Sequence, residues 1–443
     1  EALGGGSRSR LGIYPTAAAR WGLHTALAYA AFLASGCTND RRWRWLRARP
    51  PSSAVVLMHV CKRVQLRAAA LAIGASASAG VLALSVPPSP RAASAPLFTF
   101  GIIADVQWAD AEDGSNYDRT VVRHYRGAFR TLQRAVDWWR ALPEPPSFIA
   151  QLGDIIDGVN VRLGQSAPAL EAALSELRRA PCPSVNLVGN HELYNFDRRA
   201  LSAAGWLRHG DREYYSFSPA AGWRVVVLDP YQLALIGHAQ DDPRRLAAVE
   251  LLRRKNPGVH PSGSGGAWFE GVRGYDRRFV PYNGGLGEEQ LRWLRSELAA
   301  ASAAGERVIV LCHVILEPRA CGGSTMAWDY EEALEAVRSG EAGGCVAAVL
   351  CGHDHSGKYH CDDAGVHHCT FSSPLNKGDE GCAFGVVHVF ADAIEIRGPR
   401  VDDALPIVRG GKPTGRPAAR RCAADAFSGE CESVRLPLRP AAR

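Results

Sequence analysis

The sequence predicts an α/β domain in which buried β-strands alternate with helices, and two observations lead to this fold class. Between positions 97 and 355, short apolar runs of strand length are separated by longer segments whose apolar residues recur every three or four positions. Five of the strands end in a side chain that can bind a metal ion: Asp105, Asp154, Asn190, His313 and His353. Because ligands of α/β sheets gather at the carboxyl ends of the strands, five such positions in phase indicate a site at that edge.

The first half of the domain follows this alternation. LFTFGIIAD is an apolar run that predicts a buried strand ending in Asp105. Apolar residues spaced three and four apart then predict a helix from about Arg119 to Ala141, which Pro143 terminates. SFIAQLGD and PSVNLVGN are the second and third strands, and a helix over 167–180 is expected between them.

The second half continues the same pattern up to the last metal-capable strand. Strands are expected at 223–229, 307–313 and 345–355, and helices at 288–303 and 329–337. The strand over 345–355 runs into both His353 and His355. Residues 359–396 have the composition of short β-strands, and residues 231–285 are Gly-rich and irregular, which is typical of loops beside a site.

The two ends of the chain fall outside the predicted fold. We assign residues 96–400 to the folded domain and exclude residues 1–95 as a disordered leader. Residues 401–443 are rich in Pro, Arg and Ala without periodicity, which predicts a mostly disordered tail.

The leader contains an internal Met58 that is followed by features of a targeting segment. A basic stretch, an Ala/Gly-rich apolar stretch and a segment of small residues follow one another without any acidic residue. This order resembles a cleaved targeting segment or an organellar transit peptide. A weak membrane anchor is the competing interpretation, because residues 68–86 are near spanning length. Residues 1–57 then represent an extension upstream of the true start.

The charge and the cysteine content restrict which classes of partner the protein is expected to bind and in which cellular compartment it is expected to occur. The net charge is +6, but residues 1–100 contribute +10, so the rest of the chain carries −4. The body also lacks a basic stripe interleaved with aromatic residues, which argues against nucleic-acid binding. The 12 cysteines form no CxxC pair, which favours reduced thiols in an intracellular protein, cytoplasmic or organellar. No stable membrane association of the domain is expected, and the oligomeric state is left open.

The metal-capable residues fall into short motifs whose chemistry fits a pair of divalent cations. In order they are Asp105-x-Gln107, Gly153-Asp154, Gly189-Asn190-His191-Glu192, His313 and Gly352-His353-x-His355. Two cations held about 3.5–4 Å apart need a carboxylate that can bridge them and offset their repulsion. Imidazole and amide groups add ligands without cancelling the positive charge that a phosphate needs. This mixed oxygen and nitrogen set suits Mn²⁺ or Fe, with Zn²⁺ as an alternative.

The order and spacing of these motifs resemble the calcineurin-like metallophosphoesterase superfamily across nearly all of residues 97–398. The resemblance implies a central β-sandwich flanked by helices, with two metal ions at the carboxyl ends of the strands. It implies one ion held by Asp105, Gln107, Asp154 and His355, and a second held by Asp154, Asn190, His313 and His353. It also implies that His191 stabilises the transition state or protonates the leaving oxygen. We expect Glu192 to orient His191, and Asp157 to lie behind the ligands.

Two positions depart from the superfamily pattern. Gln107 stands where the superfamily usually has His, so the first ion is expected to bind less tightly and to prefer oxygen ligands. His313 is followed by Val-Ile-Leu instead of the usual His-x-Pro, which leaves the path of that loop open.

Longer strings narrow the resemblance to the manganese-dependent ADP-ribose/CDP-alcohol diphosphatase family. They include IADVQWADAEDG, QLGDIIDG, GNHELYNF, YNGGLGEEQLRWL and GHDHSGKYHCDDAGVHH. The resemblance implies Mn²⁺-dependent hydrolysis of the diphosphate linkage of ADP-ribose, CDP-choline or related nucleotides, which gives AMP or CMP and a phosphorylated sugar or alcohol. The partner would then be a small-molecule nucleotide.

Three alternatives compete with this hypothesis. A cyclic-nucleotide phosphodiesterase or a phosphoprotein phosphatase could use the same fold and the same metal ions. An inactive scaffold would have lost ligands, whereas every ligand position here holds a competent residue. A P-loop reading of Gly352–Lys358 fails because Tyr359 stands where the pattern requires Ser or Thr.

Overall fold

A computed structural model describes residues 95–209, 212–260, 262–263, 267–339, 344–378, 383–399 and 433–439. Residues 1–94, which include the predicted targeting segment, and residues 401–432 and 440–443 of the predicted tail lie outside these ranges. No helix in the described part of the chain is long and apolar enough to cross a membrane.

The described residues form fourteen strands, which we number in chain order. They are β1 (Phe98–Ile103), β2 (Gly114–Ser115), β3 (Val122–Arg123), β4 (Ile149–Gln151), β5 (Ser184–Asn186), β6 (Tyr215–Ala220), β7 (Trp223–Val227), β8 (Arg307–Cys312), β9 (Val346–Cys351), β10 (Ser356–Cys361), β11 (His367–Ser372), β12 (Phe384–Val389), β13 (Ala393–Arg397) and β14 (Ser433–Pro437).

The helices of the described residues are numbered in the same way. They are α1 (Tyr125–Ala141), α2 (Val159–Leu163), α3 (Ser166–Arg178), α4 (Asn190–Asn195), α5 (Arg198–Ala203), α6 (Pro243–Lys255), α7 (Gly287–Ala303), α8 (Tyr330–Arg338) and α9 (Pro374–Lys377). Short 3₁₀ turns cover Gly274–Arg278 and Pro318–Ala320.

Two six-stranded sheets face each other and form the predicted sandwich. The first has the order β14-β13-β12-β1-β4-β5 and the second β10-β11-β9-β8-β7-β6. Within them, β1, β4 and β5 are parallel to one another, as are β7, β8, β9 and β11. Side chains from both sheets, among them Phe100, Leu152, Val225 and Leu311, form one apolar cluster between the layers. The prediction of a β-sandwich flanked by helices is therefore confirmed.

The outer faces of the sheets are covered by amphipathic helices. Helix α1 buries Leu132, Val136 and Trp139, and helix α7 buries Leu294 and Leu298, in a second apolar cluster. In both helices these residues recur at three and four positions, so one stripe faces the sheet and the opposite side meets water. The helices therefore shield the outer apolar faces of the sheets from water.

Several predicted boundaries differ from the structure. Helix α1 begins at Tyr125 instead of Arg119, because a β2–β3 hairpin occupies the preceding residues. Residues 231–285 are not wholly irregular, since α6 lies within them and is capped by the Asp242 side chain, which accepts from Arg244 N. Part of the predicted tail forms β14, which pairs with β13. Residue Ser356 begins β10, where a P-loop would require a helix.

Candidate metal centre

The residues predicted to bind metal converge where the carboxyl ends of the two sheets meet. Asp105 and Asp154 follow β1 and β4 of the first sheet, and His313 and His353 follow β8 and β9 of the second. Asn190 follows β5 as the first residue of α4. These five residues are all buried. The two sheets thus supply opposite sides of one polar site.

The backbone at the site is held in an uncommon conformation. Asp105, Gln107, Asp154 and His353 have φ of 51°, 47°, 57° and 68°, and they make up four of the five non-glycine residues with positive φ in the described chain. Each such residue costs roughly 1–3 kcal/mol and persists only where its surroundings impose it. The left-handed conformation therefore falls on the residues at the strand ends that carry the predicted ligands.

Glycines of the motifs allow the strand ends to approach one another. A Cβ atom at Gly189 would lie 2.0 Å from Asp154 Oδ1, and one at Gly352 would lie 2.6 Å from Asp105 Oδ2. Any side chain at either position would displace a carboxylate of the site. Glycine is therefore required directly before Asn190 and directly before His353, because the carboxylates pack closely against both positions.

Hydrogen bonds determine which nitrogen of His313 and His353 is free. His313 Nδ1 donates to Leu152 O at 2.7 Å, so its Nε2 has no proton in the neutral ring. His353 Nε2 lies 2.7 Å from Asn283 Oδ1. The Asn283 amide nitrogen donates to two backbone carbonyls, so this oxygen must accept and His353 Nδ1 is bare. Both rings thus present a lone pair toward the site.

When both rings are neutral, three atoms that can only accept a hydrogen bond face one another: His313 Nε2, His353 Nδ1 and Asp154 Oδ2. His313 Nε2 is 3.2 Å from His353 Nδ1 and 3.3 Å from Asp154 Oδ2. Burial lowers the pKa of His313, but the Asp154 and Asp105 carboxylates outweigh it and raise that pKa to about 9. The arrangement requires a cation, either a proton or a metal ion, and the donor set fits a divalent metal ion.

A second group of candidate metal ligands, which we call the first donor group because it comes first in the motif order, surrounds Gln107. Gln107 Nε2 lies 2.9 Å from His355 Nε2 and 3.3 Å from Asp154 Oδ2, while its Oε1 is buried with no hydrogen-bond partner in the described part of the chain. His355 Nε2 is also 3.6 Å from Asp105 Oδ1. A 180° rotation of the Gln107 amide would place its oxygen among these acceptors. The same pocket would then hold a cation in place of the amide hydrogens.

Asp154 lies between the two groups. Its Oδ1 accepts from His191 N at 2.8 Å, which leaves Oδ2 for the site. Oδ2 is 3.3 Å from both Gln107 Nε2 and His313 Nε2. One carboxylate oxygen therefore faces both donor groups, as a bridging ligand must.

Asn190 is fixed by a buried tyrosine that the sequence did not reveal. The Tyr231 hydroxyl donates to Asn190 Oδ1 at 3.2 Å, and Tyr231 is fully buried. The loop carrying Tyr231 follows β7 and is held by Asp229, which accepts from Tyr231 N and forms an ion pair of 2.6 Å with Arg198. The signal in the sequence is the strand VVVLDP, whose terminal Asp229 supports the loop instead of entering the site.

His191 is oriented by the backbone. Its Nδ1 accepts from Gly158 N at 2.8 Å, so the neutral ring that fits carries its proton on Nε2. The Asp157 Oδ2 atom lies 3.4 Å from the same nitrogen. Asp157 Oδ1 accepts from Val159 N at 2.7 Å, and its Oδ2 has no hydrogen bond from the described residues.

The predicted role of Glu192 is wrong. Its carboxylate does not contact the His191 ring but accepts from the backbone N–H groups of Asp154, Ile155 and Gly189, at 2.8, 2.7 and 2.8 Å. Burial and the nearby Asp154 raise the pKa of Glu192 to about 7. Glu192 therefore stabilises the left-handed turn at Asp154, which a sequence motif could not distinguish from a contact with its neighbour.

A second buried cluster has the composition of a metal site but not its charge. Glu317, Asp362 and His368 lie within reach of one another. Arg338 donates to both carboxylates, and Arg319 donates to Glu317 at 2.8 Å. Two guanidinium groups already neutralise the two carboxylates and would repel a divalent cation. We therefore interpret this cluster as a buried ion-pair network.

Comparisons with known proteins agree with this geometry. The family model described as calcineurin-like phosphoesterase matches residues 98–357. A mouse protein named manganese-dependent ADP-ribose/CDP-alcohol diphosphatase is 35% identical over 336 residues, which are 72% of this chain and 96% of the mouse protein. A rice protein of the same name is 38% identical over 304 residues, covering 68% of this chain and 91% of its own.

A solved structure shares the fold as well. The crystal structure of a dimetal phosphatase from Danio rerio has a TM-score of 0.64 and 32% identity, and the match covers 78% of this chain and all of that one. The resemblance inferred from the motifs is thereby confirmed.

Proposed function

The chain belongs to the calcineurin-like phosphoesterase family, and we propose that it hydrolyses the diphosphate linkage of ADP-ribose, CDP-choline and related nucleotides. The products are AMP or CMP and a phosphorylated sugar or alcohol. The observation that carries this proposal is the convergence of two donor groups on Asp154 Oδ2. The names of the mouse and rice relatives support the substrate class.

Each donor group would hold one divalent cation. Asp105, Gln107, Asp154 and His355 form the first set, and Asp154, Asn190, His313 and His353 form the second. When bound, such a pair supplies positive charge for the phosphate oxygens and a water that is acidic enough to attack phosphorus. The names of the relatives support Mn²⁺, and the amide and carboxylate oxygens of the site are ligands that Mn²⁺ accepts, with Fe and Zn²⁺ as alternatives.

His191 donates a hydrogen bond to the group that departs and so stabilises the transition state. Its neutral ring carries a proton on Nε2, because Nδ1 accepts from Gly158 N. The ring is 12% exposed, so it borders the opening of the site and can meet a substrate. When the bridging P–O bond breaks, the electron pair stays on the departing oxygen, and the His191 Nε2–H group donates a hydrogen bond to the negative charge that develops there. Removal of one such donor costs about 10²–10³-fold in kcat.

The proposal also covers the bounds of the catalytic domain, the location of the protein in the cell and its partner. Residues 96–400 carry the site, and β14 completes the first sheet. Seven cysteines of the described residues are free, which supports an intracellular location, cytoplasmic or organellar. The partner is a small nucleotide, and no nucleic acid is expected.

Hydrolysis by the metal-free protein, supplied separately with Mn²⁺, Mg²⁺ and Zn²⁺, tests the proposal. The substrates are ADP-ribose, CDP-choline, cyclic AMP and a phosphopeptide, and Asp154→Ala is the control. We expect AMP and CMP release that requires Mn²⁺ and disappears in the variant. Cleavage of cyclic AMP or the phosphopeptide alone would refute the substrate assignment. Inactivity with every metal ion would support the scaffold alternative.

A further inference from the structure

The connection between β11 and α9 joins two residues of the first donor group. It consists of Ser373, which donates its backbone N–H to His355 O at 3.1 Å and its hydroxyl to Asp105 O at 2.7 Å. Asp105 follows β1 of the first sheet, whereas His355 lies between β9 and β10 of the second. One fully buried serine thus links a candidate ligand of each sheet.

The hydroxyl of Ser373 has a fixed direction. Its Oγ accepts from Leu375 N at 3.0 Å, and its single proton goes to the Asp105 carbonyl, which can only accept. Asp105 is one of the residues with positive φ, at 51°. Because such a conformation persists only where its surroundings impose it, the Ser373 hydroxyl is one of the contacts that hold the backbone of Asp105 in place.

Helix α9 also carries Asn376, which contacts the ring of His355. Asn376 N donates to Ser373 O at 3.3 Å, and Asn376 Oδ1 lies 3.4 Å from His355 Nδ1. The other ring nitrogen, His355 Nε2, lies 2.9 Å from Gln107 Nε2 and 3.6 Å from Asp105 Oδ1. An acceptor at Nδ1 keeps the proton of the neutral ring on that nitrogen, which leaves Nε2 bare for a metal ion.

Helix α9 is itself anchored to the neighbouring elements. His124 N donates to Leu375 O at 2.8 Å, and the Thr131 hydroxyl of α1 donates to Gly378 O at 3.1 Å. Leu375 is fully buried in the apolar cluster that also contains residues of α1. These contacts give the two residues at the start and middle of the segment a fixed position beside the first donor group.

The second donor group is supported by other parts of the chain. Its members besides Asp154 are Asn190, His313 and His353, and their hydrogen-bond partners lie outside α9. In the part of the chain that the structure describes, neither Ser373 nor Asn376 forms a hydrogen bond with any of these three residues. A change at Ser373 or Asn376 should therefore act on one ion of a metal pair and not on the other.

We propose that Ser373 and Asn376 are positioning residues that set the affinity of the first donor group for its metal ion. This inference rests on the proposed function, which takes the two donor groups as the sites of a metal pair. The first donor group needs such support because one of its members, Gln107, is an uncharged amide. Binding of the ion then relies on Asp105 and His355, which come from different sheets and must keep their spacing.

Titration calorimetry of the metal-free full chain with Mn²⁺ tests this inference without a substrate. The wild type should bind two ions, and His355→Ala identifies which binding event belongs to the first donor group. We expect Ser373→Ala and Asn376→Ala to weaken that event by about 10–100-fold, the usual loss when the partner of a metal ligand is removed. The other event should stay unchanged. Asn376→Asp keeps an acceptor oxygen beside His355 and should recover most of the loss.

Thr370→Val is the matched control for Ser373→Ala. Thr370 lies in β11, is also buried, and donates its hydroxyl to Ala320 O at 2.7 Å. This variant should lower stability in thermal unfolding without changing the affinity for either Mn²⁺ ion. Equal weakening of both binding events, unchanged affinities, or the same loss in Thr370→Val would overturn the inference. If Ser373→Ala does not fold, the comparison of Asn376→Ala with Asn376→Asp decides the matter by the same criteria.

The outcome for the proposed function is read separately, from AMP and CMP release by the wild type. If the affinities change as expected but the wild type releases neither product, the substrate assignment fails and the role of the two positioning residues is supported. A wild type that binds fewer than two Mn²⁺ ions would refute the metal pair, and the inference would fail with it.

Discussion

At the scale of single residues, Asn283 sets the chemistry of His353 from 70 positions away in the chain. The amide nitrogen donates to Arg278 O at 2.8 Å and to Ser324 O at 2.6 Å, which fixes the amide orientation. The oxygen then accepts from His353 Nε2 at 2.7 Å and leaves Nδ1 unprotonated. A residue that holds the outer nitrogen of a ligand histidine fixes both its tautomer and its direction.

We predict that Asn283→Ala weakens Mn²⁺ binding. Without the acceptor, His353 can rotate or carry its proton on Nδ1, which would block that nitrogen. Loss of such partners costs about 10–100-fold in metal affinity. Titration calorimetry of the metal-free protein with Mn²⁺ measures this change directly and does not depend on the substrate.

Asn256→Ala is the matched control for this variant. Asn256 is also fully buried, and its amide nitrogen donates to Trp268 O and Phe279 O, but it does not contact a residue of the site. It should lower stability while leaving Mn²⁺ affinity unchanged. If both variants lose affinity equally, the effect of Asn283 is on folding and the tautomer argument is wrong.

The sequence could predict some of the site residues and not others, for a physical reason. Asp105, Asp154 and His313 directly follow apolar strands, so local pattern is enough to place them at a sheet edge. Asn283 and Tyr231 act on site residues that are distant from them in the chain, which no local pattern encodes. The role of Glu192, which follows His191 in the motif, was wrongly predicted because a carboxylate in a short helix can turn toward the backbone.

At the scale of secondary-structure elements, β14 joins the two sheets at the end of the chain. It pairs with β13, and its residues alternate between exposed and buried, so that Val434 and Leu436 enter the sandwich core. The segment also reaches the second sheet, because His367 Nε2 lies 2.9 Å from Pro437 O and Arg307 donates to Arg439 O. This strand therefore closes the edge of the sandwich.

We predict that Leu436→Ala lowers the free energy of unfolding by about 2–5 kcal/mol, the usual range for a buried leucine. The side chain is 1% exposed, so its removal leaves a cavity between the sheets. Urea unfolding of the full chain measures the change. Arg435→Ala, on the exposed face of the same strand, should cost no more than about 1 kcal/mol. Similar losses in both variants would mean that strand pairing matters and core packing does not.

The mispredicted elements depend on side-chain hydrogen bonds or on contacts between residues that are distant in the chain. The helix expected from Arg119 begins at Tyr125 because Asn116 Oδ1 accepts from Thr120 N and Val121 N, which closes a turn inside the hairpin. Strand β14 has an alternating pattern only five residues long, and its pairing with β13 depends on contacts across the fold. Local periodicity is therefore a guide to long helices and buried strands, and a poor guide to hairpins and edge strands.

At the scale of the whole molecule, the site exists only because two sheets meet at their carboxyl ends. The first sheet supplies Asp105 and Asp154, and the second supplies His313 and His353. The sequence predicted the strand ends and, through the resemblance, the sandwich. The motif order alone could not assign each strand to a sheet, because that assignment depends on which apolar faces pack together.

The ion-pair network of Glu317, Arg319, Arg338, Asp362 and His368 fastens the second sheet to its covering helix. Arg338 ends α8, and it reaches Asp362 at 2.6 Å in the turn between β10 and β11. His368 of β11 lies 3.0 Å from the same carboxylate. Burial raises the pKa of Asp362, but the hydrogen bonds from His368 and Arg338 outweigh it and hold that pKa well below its usual range.

The lowered pKa makes the global stability sensitive to acid. A carboxyl whose folded pKa is depressed contributes stability above its unfolded value of about 4, and that contribution is lost as the pH falls toward the folded value. The carboxyl of Glu317 behaves alike: burial raises its pKa, but hydrogen bonds from Arg319 outweigh it and lower the pKa to about 2. Both groups therefore act in the same window, from about pH 4 downward.

We predict that Asp362→Asn lowers the free energy of unfolding at pH 7 by about 1.5–3 kcal/mol, because the buried carboxylate loses its charged hydrogen bonds with Arg338 and His368. Below pH 4 the difference between wild type and variant should shrink, since the wild-type carboxyl begins to lose its advantage over the unfolded state. Urea unfolding at pH 7, 4 and 3 tests this. Asp392→Asn removes an exposed ion pair with Arg435 and should have little effect at any pH. A difference that stays constant from pH 7 to 3 would show that the network acts by shape and not by charge.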